Sequence, residues 1–427
     1  MRFSIQNSTI EKVKVIGGKD IKITSIGIIF AELTPEQVNQ LKNQGATLTP
    51  IGSVKAVVMS PIISPPIIAA IPTYSPEELI WAAKLEDVRA LTDPPLLGNG
   101  VNIAVIGTGI RETHDRIQGR VVFRKNYSSD PLLSDGLNHD TGTCDIIVTM
   151  VPLCNILNMK VLDSKGEGTE ESVVLAIDDC ISMQDTNPAI APTVINLSLG
   201  APDDNNVNNI LRVACRAAIA KGIFIFASAG NDGPSPYSIT IPAVEKYVFA
   251  CGAAKYLPNE SSFIVSNFSS RGPTLGGLIK PDVVLFGEDI QVASSSSDSA
   301  TIAKSGTSFA APFGSAIAAI YLEGALRQAM WKQVYLGVPM GAIYYVPPDR
   351  MIDEYLPLIC LKPKGISMNK DYDYGNGLPY GPSALKLFAA APVATDISTV
   401  LASISPIFSI AILAMLMGSM VKPEKGG

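Results

Sequence analysis

The sequence predicts an α/β fold with a mostly parallel central sheet, and three observations predict it. Five short segments, VNIAVIG (101–107), NILNMKVL (155–162), TVINLSL (193–199), GIFIFASAG (222–230) and YVFACGAA (247–254), are apolar without alternation. Such strands are buried on both faces. Between them lie helical windows such as EESVVLAIDDCI (170–181) and NNILRVACRAAIA (208–220). Strand and helix in turn give a parallel sheet covered on both sides. Third, the polar, glycine-rich motifs GTGI (107–110), SLGAP (198–202), SAGNDG (228–233) and SGTSFAAP (305–312) follow strands or open a helix. In such sheets, sites form outside the carboxyl ends of the strands.

The flanking regions read differently. In residues 1–60, IKITSIGIIFAEL (21–33) reads as a strand, TPEQVNQLKNQGA (34–46) as a helix capped by Thr34, and SVKAVVMS (53–60) as a second strand. This is a small α/β unit. The prolines of PIISPPIIAAIPTYSP (61–76) force an extended path, and EELIWAAKLEDVRAL (77–91) is helical, so 61–97 is linker plus helix. The main domain covers 98–392. Within it ALRQAMWKQVYL (325–336) extends a helix, and 335–372 has the look of an insertion with short strands of its own.

The C-terminal run STVLASISPIFSIAILAMLMGSM (398–420) carries no charge over 23 residues and precedes VKPEKGG. A membrane-spanning helix over 398–421 is the expectation; an apolar helix buried in a homo-oligomer is the other reading, since serines and Pro406 interrupt the pattern. The lysines behind it favour a cytoplasmic tail and an extracytoplasmic body; an extracellular assembly is the alternative. No apolar secretory core is legible in the first twenty residues.

Composition narrows the function classes. Hydrophobic residues make up 47% and charged residues 17%, with a net charge of -6 and no basic run, which argues against a nucleic-acid partner. Six cysteines without a CxxC and only two histidines argue against zinc. Disulfides and buried thiols both stay open. No cofactor is called for; acidic APDDNN (201–206) and DYDY (371–374) leave calcium open, although neither has the spacing of a dedicated loop.

Two residues carry candidate chemistry. Ser308 begins a helix, where free N–H groups stabilise developing negative charge, although a serine there is also an ordinary cap. Asn231 follows an apolar strand among glycines; its amide is a candidate oxyanion donor, and turn formation is its plainer role.

Taken in order, VNIAVIGTGI, THDRIQGRV, MKVLDSKGEGTEESVVLAI, VINLSLG, ASAGNDG, IPAVEKYVFACGAA, SNFSSRGP, IKPDVVLFGEDI and SGTSFAAP resemble the subtilisin-like serine peptidase superfamily over about residues 98–390. The resemblance implies the subtilisin-like three-layer fold, with 1–60 as the inhibitory pro-domain. It makes Ser308 the nucleophile, Asn231 the oxyanion-hole amide, and Leu197, Ser198, Leu199 and Gly200 the edge that takes a substrate strand by β-addition.

Two positions depart from the family pattern. Gly107 stands where the family has the catalytic Asp, and Thr141 where it has the catalytic His, with Cys144 at the later histidine. Glycine does not orient an imidazole, and threonine is no general base near neutral pH. Of the two histidines, His114 falls at a structural position. His139, with Asp140 beside it, is the one substitute base; the direction of Asp145 is open.

The expectation is a degenerate, non-proteolytic subtilase that binds a peptide or protein strand, with its own uncleaved linker, Ser60 to Pro72, as one occupant of the cleft. The alternative is an active serine endopeptidase using Ser308 with His139.

Overall fold

A computed structural model describes residues 1–57, 72–90, 92–336 and 346–383. The N-terminal unit is a four-stranded sheet, order β2-β3-β1-β4, from β1 (Arg2–Gln6), β2 (Lys19–Ile23), β3 (Ile29–Glu32) and β4 (Thr47–Pro50). Helices α1 (Ile10–Val15) and α2 (Pro35–Asn43) accompany it, and Thr34 and Gln37 form a capping box on α2. Phe3, Ile5, Ile29, Ala31 and Leu41 make its core. The expected single strand over 21–33 is two strands, because Gly27 turns the chain with φ +82°.

Strand β5 (Ser53–Ala56) leaves that sheet and pairs elsewhere. After the linker, the expected single helix is two, α3 (Pro76–Ala82) and α4 (Glu86–Arg89), broken at Lys84, whose φ is +52°.

The main sheet has eight strands: β6 (Asn102–Gly107), β7 (Val121–Asn126), β8 (Asn155–Lys160), β10 (Val194–Leu197), β12 (Phe224–Ser228), β13 (Phe249–Leu257), β14 (Ser262–Val265) and β15 (Val283–Phe286). The order is β14-β13-β12-β10-β6-β8-β7, with β15 on β13. Every pairing is parallel except β13 with β14, as uninterrupted apolar strands require. Helices α5 (Asp140–Met150), α6 (Glu170–Thr186), α7 (Ile210–Ala220) and α8 (Thr307–Leu336) cover it. Two short strands, β9 (Glu167–Thr169) and β11 (Leu199–Gly200), stand outside the main sheet, and β16 (Ile290–Ala293) and β17 (Thr301–Lys304) form a hairpin ahead of α8.

Helix α8 lies against β10, β12, β13 and α5. Small residues permit this: a Cβ on Gly314 would fall 2.5 Å from the Phe226 ring. Among the described residues one helix stretch, Thr307–Arg327, is long and apolar enough to cross a membrane, and it is buried in this core. The 398–421 segment and the Ser60–Pro72 linker, apart from Pro72, lie outside the described residues, as do 337–345 of the expected insertion; short elements of the insertion, including Cys360–Leu361, are described. All six cysteines are buried free thiols, and among the described residues no group of three His, Cys, Asp or Glu side chains is placed to hold a metal.

Candidate active site

Ser308 sits in the first turn of α8 and is fully buried. Its neighbour Thr307 fixes Asn231: the Thr307 N–H and hydroxyl both donate to Asn231 Oδ1 at 2.9 Å, while Gly230 N–H donates to Thr307 Oγ1 at 3.2 Å. With its oxygen so engaged, the Asn231 amide presents its N–H to the cleft.

Pro312 shapes the turn from below. It has no N–H, so the Ser308 carbonyl loses its helical donor four residues on. The Ser198 hydroxyl replaces it, donating to that carbonyl at 2.8 Å. Asn196 Nδ2 donates to Ser198 Oγ at 2.9 Å, and Ser315 donates to Asn196 Oδ1 at 3.2 Å. The end of β10 is thereby tied to the serine.

The cleft between β11 and β9 holds β5. Leu199 pairs with Ala56 and Gly200 with Lys55, antiparallel, while Ser53, Val54 and Lys55 pair with Thr169, Gly168 and Glu167. Of the expected substrate edge, Leu199 and Gly200 pair with the chain's own β5, and the Ser198 carbonyl accepts from Val57 N at 3.5 Å. Leu197 belongs to the central sheet, paired with Ile106 and Ala227. The next residue brings its carbonyl to the polar groups: Val57 O accepts from Asn231 Nδ2 at 3.1 Å and from Ser308 Oγ at 2.7 Å. The Ser198 carbonyl, 3.2 Å from Ser308 Oγ, is the alternative acceptor. Residues 53–57 lie along this edge; the linker segment expected there, Ser60 to Pro72, lies outside the described residues apart from Pro72.

A dense polar cluster lies at the end of β6. Asp135 accepts from Thr108 Oγ1 and Leu137 N with one oxygen, and from His139 N and Thr141 N with the other, at 2.8 to 3.1 Å. The Thr141 hydroxyl accepts from Arg111 N at 3.1 Å, a backbone role. Asp140 accepts from Thr108 N at 2.6 Å and from His139 Nδ1 at 2.7 Å. His139 is buried against Phe309, ring centroids 5.5 Å apart, and its Nε2 has no hydrogen-bond partner among the described residues. No hydrogen bond joins it to Ser308.

The remaining predicted positions are structural. His114 Nε2 donates to Ala300 O at 2.9 Å, and its Nδ1 accepts from Arg116 N at 3.3 Å. The Asp145 carboxylate accepts from Arg116 and from the Ala293 N–H, each at 2.8 Å. Burial raises its pKa against the pull of Arg116. Burial likewise pushes the Cys144 thiol far above its ordinary value.

Sequence reasoning missed Val57, Asp135, and the acidic start of α6. There Glu170 accepts from Gly52 N at 3.0 Å, and Glu171 takes a two-pronged contact from Arg2, both 2.7 Å, plus Lys22 at 3.1 Å. Burial works against ionisation of Glu171, yet the hydrogen bonds from Arg2 and Lys22 outweigh it and hold its carboxyl below the usual value. The adjacent glutamates after Thr169 were the visible signal.

A mostly parallel sheet, a serine opening a central helix and an asparagine amide facing it are the arrangement of the subtilase scaffold. The chain belongs to the subtilase family, whose model matches residues 98–337. It is 30% identical over 259 residues to serine protease AprX of Bacillus subtilis (strain 168), covering 53% of this chain and 58% of that protein. Subtilisin-like protease 1 of Arthroderma otae is 28% identical over 233 residues, 53% of this chain and 44% of the relative. Subtilisin-like protease 5 of Arthroderma gypseum is 30% identical over 226 residues, 52% of each. The chain thus spans about half the length of the curated relatives it matches.

Proposed function

We propose that this subtilase does not cut peptides and is a structural module whose cleft is held by its own N-terminal unit through the uncut Val57–Val58 bond. The observation that carries the reading is the Val57 carbonyl, seated on Asn231 and Ser308 while no imidazole bonds the serine. A serine hydroxyl without a base is a weak nucleophile, and loss of the imidazole from such a triad costs on the order of a millionfold in turnover. Gly107 and Thr141 supply neither the carboxylate nor the base. With the cleft filled from within, partners meet other surfaces, and the uncharged 398–420 run serves to anchor the body, outside the cytoplasm, to a membrane or to further copies.

A second reading has one observation in its favour. His139 is paired with Asp140, and its Nε2 is buried and free, so an endopeptidase with a non-standard base is the alternative. A serine-directed fluorophosphonate decides between them, with Ser308→Ala as control. The first reading predicts no adduct; a Ser308-dependent adduct would establish the second.

A further inference from the structure

The polar cluster at the end of β6 contains a replacement that neither substitution reveals alone. A Cβ built on Gly107 would fall 2.1 Å from Oδ2 of Asp140, 2.9 Å from its Cγ and 3.0 Å from Oδ1. The Asp140 carboxylate therefore fills the space of a side chain at 107. Glycine is the residue that leaves that space open.

We infer that Asp140 supplies, from the start of α5, the carboxylate that position 107 lacks, and that it holds His139 with the proton on Nδ1 and Nε2 as a free acceptor. A carboxylate and an imidazole are thus paired on two adjacent residues, where the family draws them from a strand end and a helix.

Three features support this. A carboxylate only accepts hydrogen bonds, so the 2.7 Å contact requires Nδ1 to donate. Asp140 is itself fixed, by the Thr108 N–H on its other oxygen and by its own N–H donating to Thr108 Oγ1 at 3.1 Å. Asp135 then holds the backbone N–H groups of His139 and Thr141, which fixes the backbone from which the ring projects.

The free nitrogen is what distinguishes the pair. A buried imidazole usually satisfies both nitrogens, and one left unpaired carries a desolvation cost that calls for an explanation. His114 shows the ordinary case, with Nε2 donating and Nδ1 accepting. The two histidines are thus assigned opposite tautomers. Asp140 is a positioning residue acting through His139, whether or not Ser308 ever reacts.

The test is nitrogen-15 NMR of histidine-labelled full-length protein at mildly alkaline pH, where the chain's two histidines give two imidazole spin systems. The expected wild-type spectrum has one imidazole protonated at Nε2, assigned to His114 by His114→Gln, and one protonated at Nδ1. Asp140→Asn should convert the second to the Nε2 form or a mixture. Asp140→Ala combined with Gly107→Asp should restore the Nδ1 form, and an unchanged His114 signal reports that each variant is folded.

An Nε2-protonated or doubly protonated His139 in the wild type would overturn the assignment, even if every variant failed to fold. So would a spectrum indifferent to Asp140→Asn. Fluorophosphonate labelling of the same samples reads Ser308 reactivity separately, so the tautomer result and the non-cleaving reading stand or fall apart.

Discussion

Single residues here do work that their position in the sequence does not advertise. Ser198 completes the helix that Pro312 interrupts, so Ser198→Ala leaves the Ser308 carbonyl buried and unpaired. That should cost about 1–3 kcal/mol, read as a lowered denaturant midpoint with an unchanged slope. An unaltered midpoint would mean that water or another donor replaces the hydroxyl. Gly107→Ala drives a methyl into the Asp140 carboxylate and should destabilise by about 1–3 kcal/mol, with the same change relieved when Asp140→Gly accompanies it. Additive losses in the double variant would show that the two positions do not share the space. Ser308 and Asn231 were legible because their motifs are local runs whose backbone geometry travels with the residues. Asp140 was not: its partnership with Gly107 spans 33 positions and exists only once β6 and α5 are side by side.

At the scale of elements, the start of α6 and the strand β5 fasten the N-terminal unit. Thr169 caps α6, and the glutamates of its first turn face Arg2, Lys22 and the Gly52 N–H. Because Glu171 has a lowered pKa in the docked state, its contribution is fully present above the ordinary glutamate value. It is lost as pH falls through the lowered one. Docking should therefore be insensitive to pH near neutrality and weaken only below about pH 4.5. Hydrogen exchange of the β5 amides across that range checks it; Glu171→Gln should weaken docking at neutral pH and remove most of the acid dependence. The helices could be read from their periodicity and the parallel strands from their unbroken apolar runs. Strand β5 was legible as a strand, but its destination was not: SVKA alternates equally well on either sheet, and its partners lie more than 110 residues away. The breaks at Gly27 and Lys84 were hidden for a plainer reason, since apolar periodicity continues across both turns.

For the whole molecule, Asn231 and Ser308 receive the Val57 carbonyl of the chain's own N-terminal unit, and the proposal is that no base acts on that serine. If that is the only deficit, rebuilding the family arrangement should restore cutting. Gly107→Asp with Asp140→Gly and Thr141→His is expected to release the N-terminal unit after Val57, visible as two products. Persistent single-chain protein in a folded variant would show that the scaffold has drifted further than these positions. The most direct test of the central claim is the intact mass of the purified wild-type chain after prolonged incubation at neutral pH. A single mass that includes residues 1–57 is the result expected of a cleft closed by its own uncut segment. A mass lacking those residues, prevented by Ser308→Ala, would contradict it.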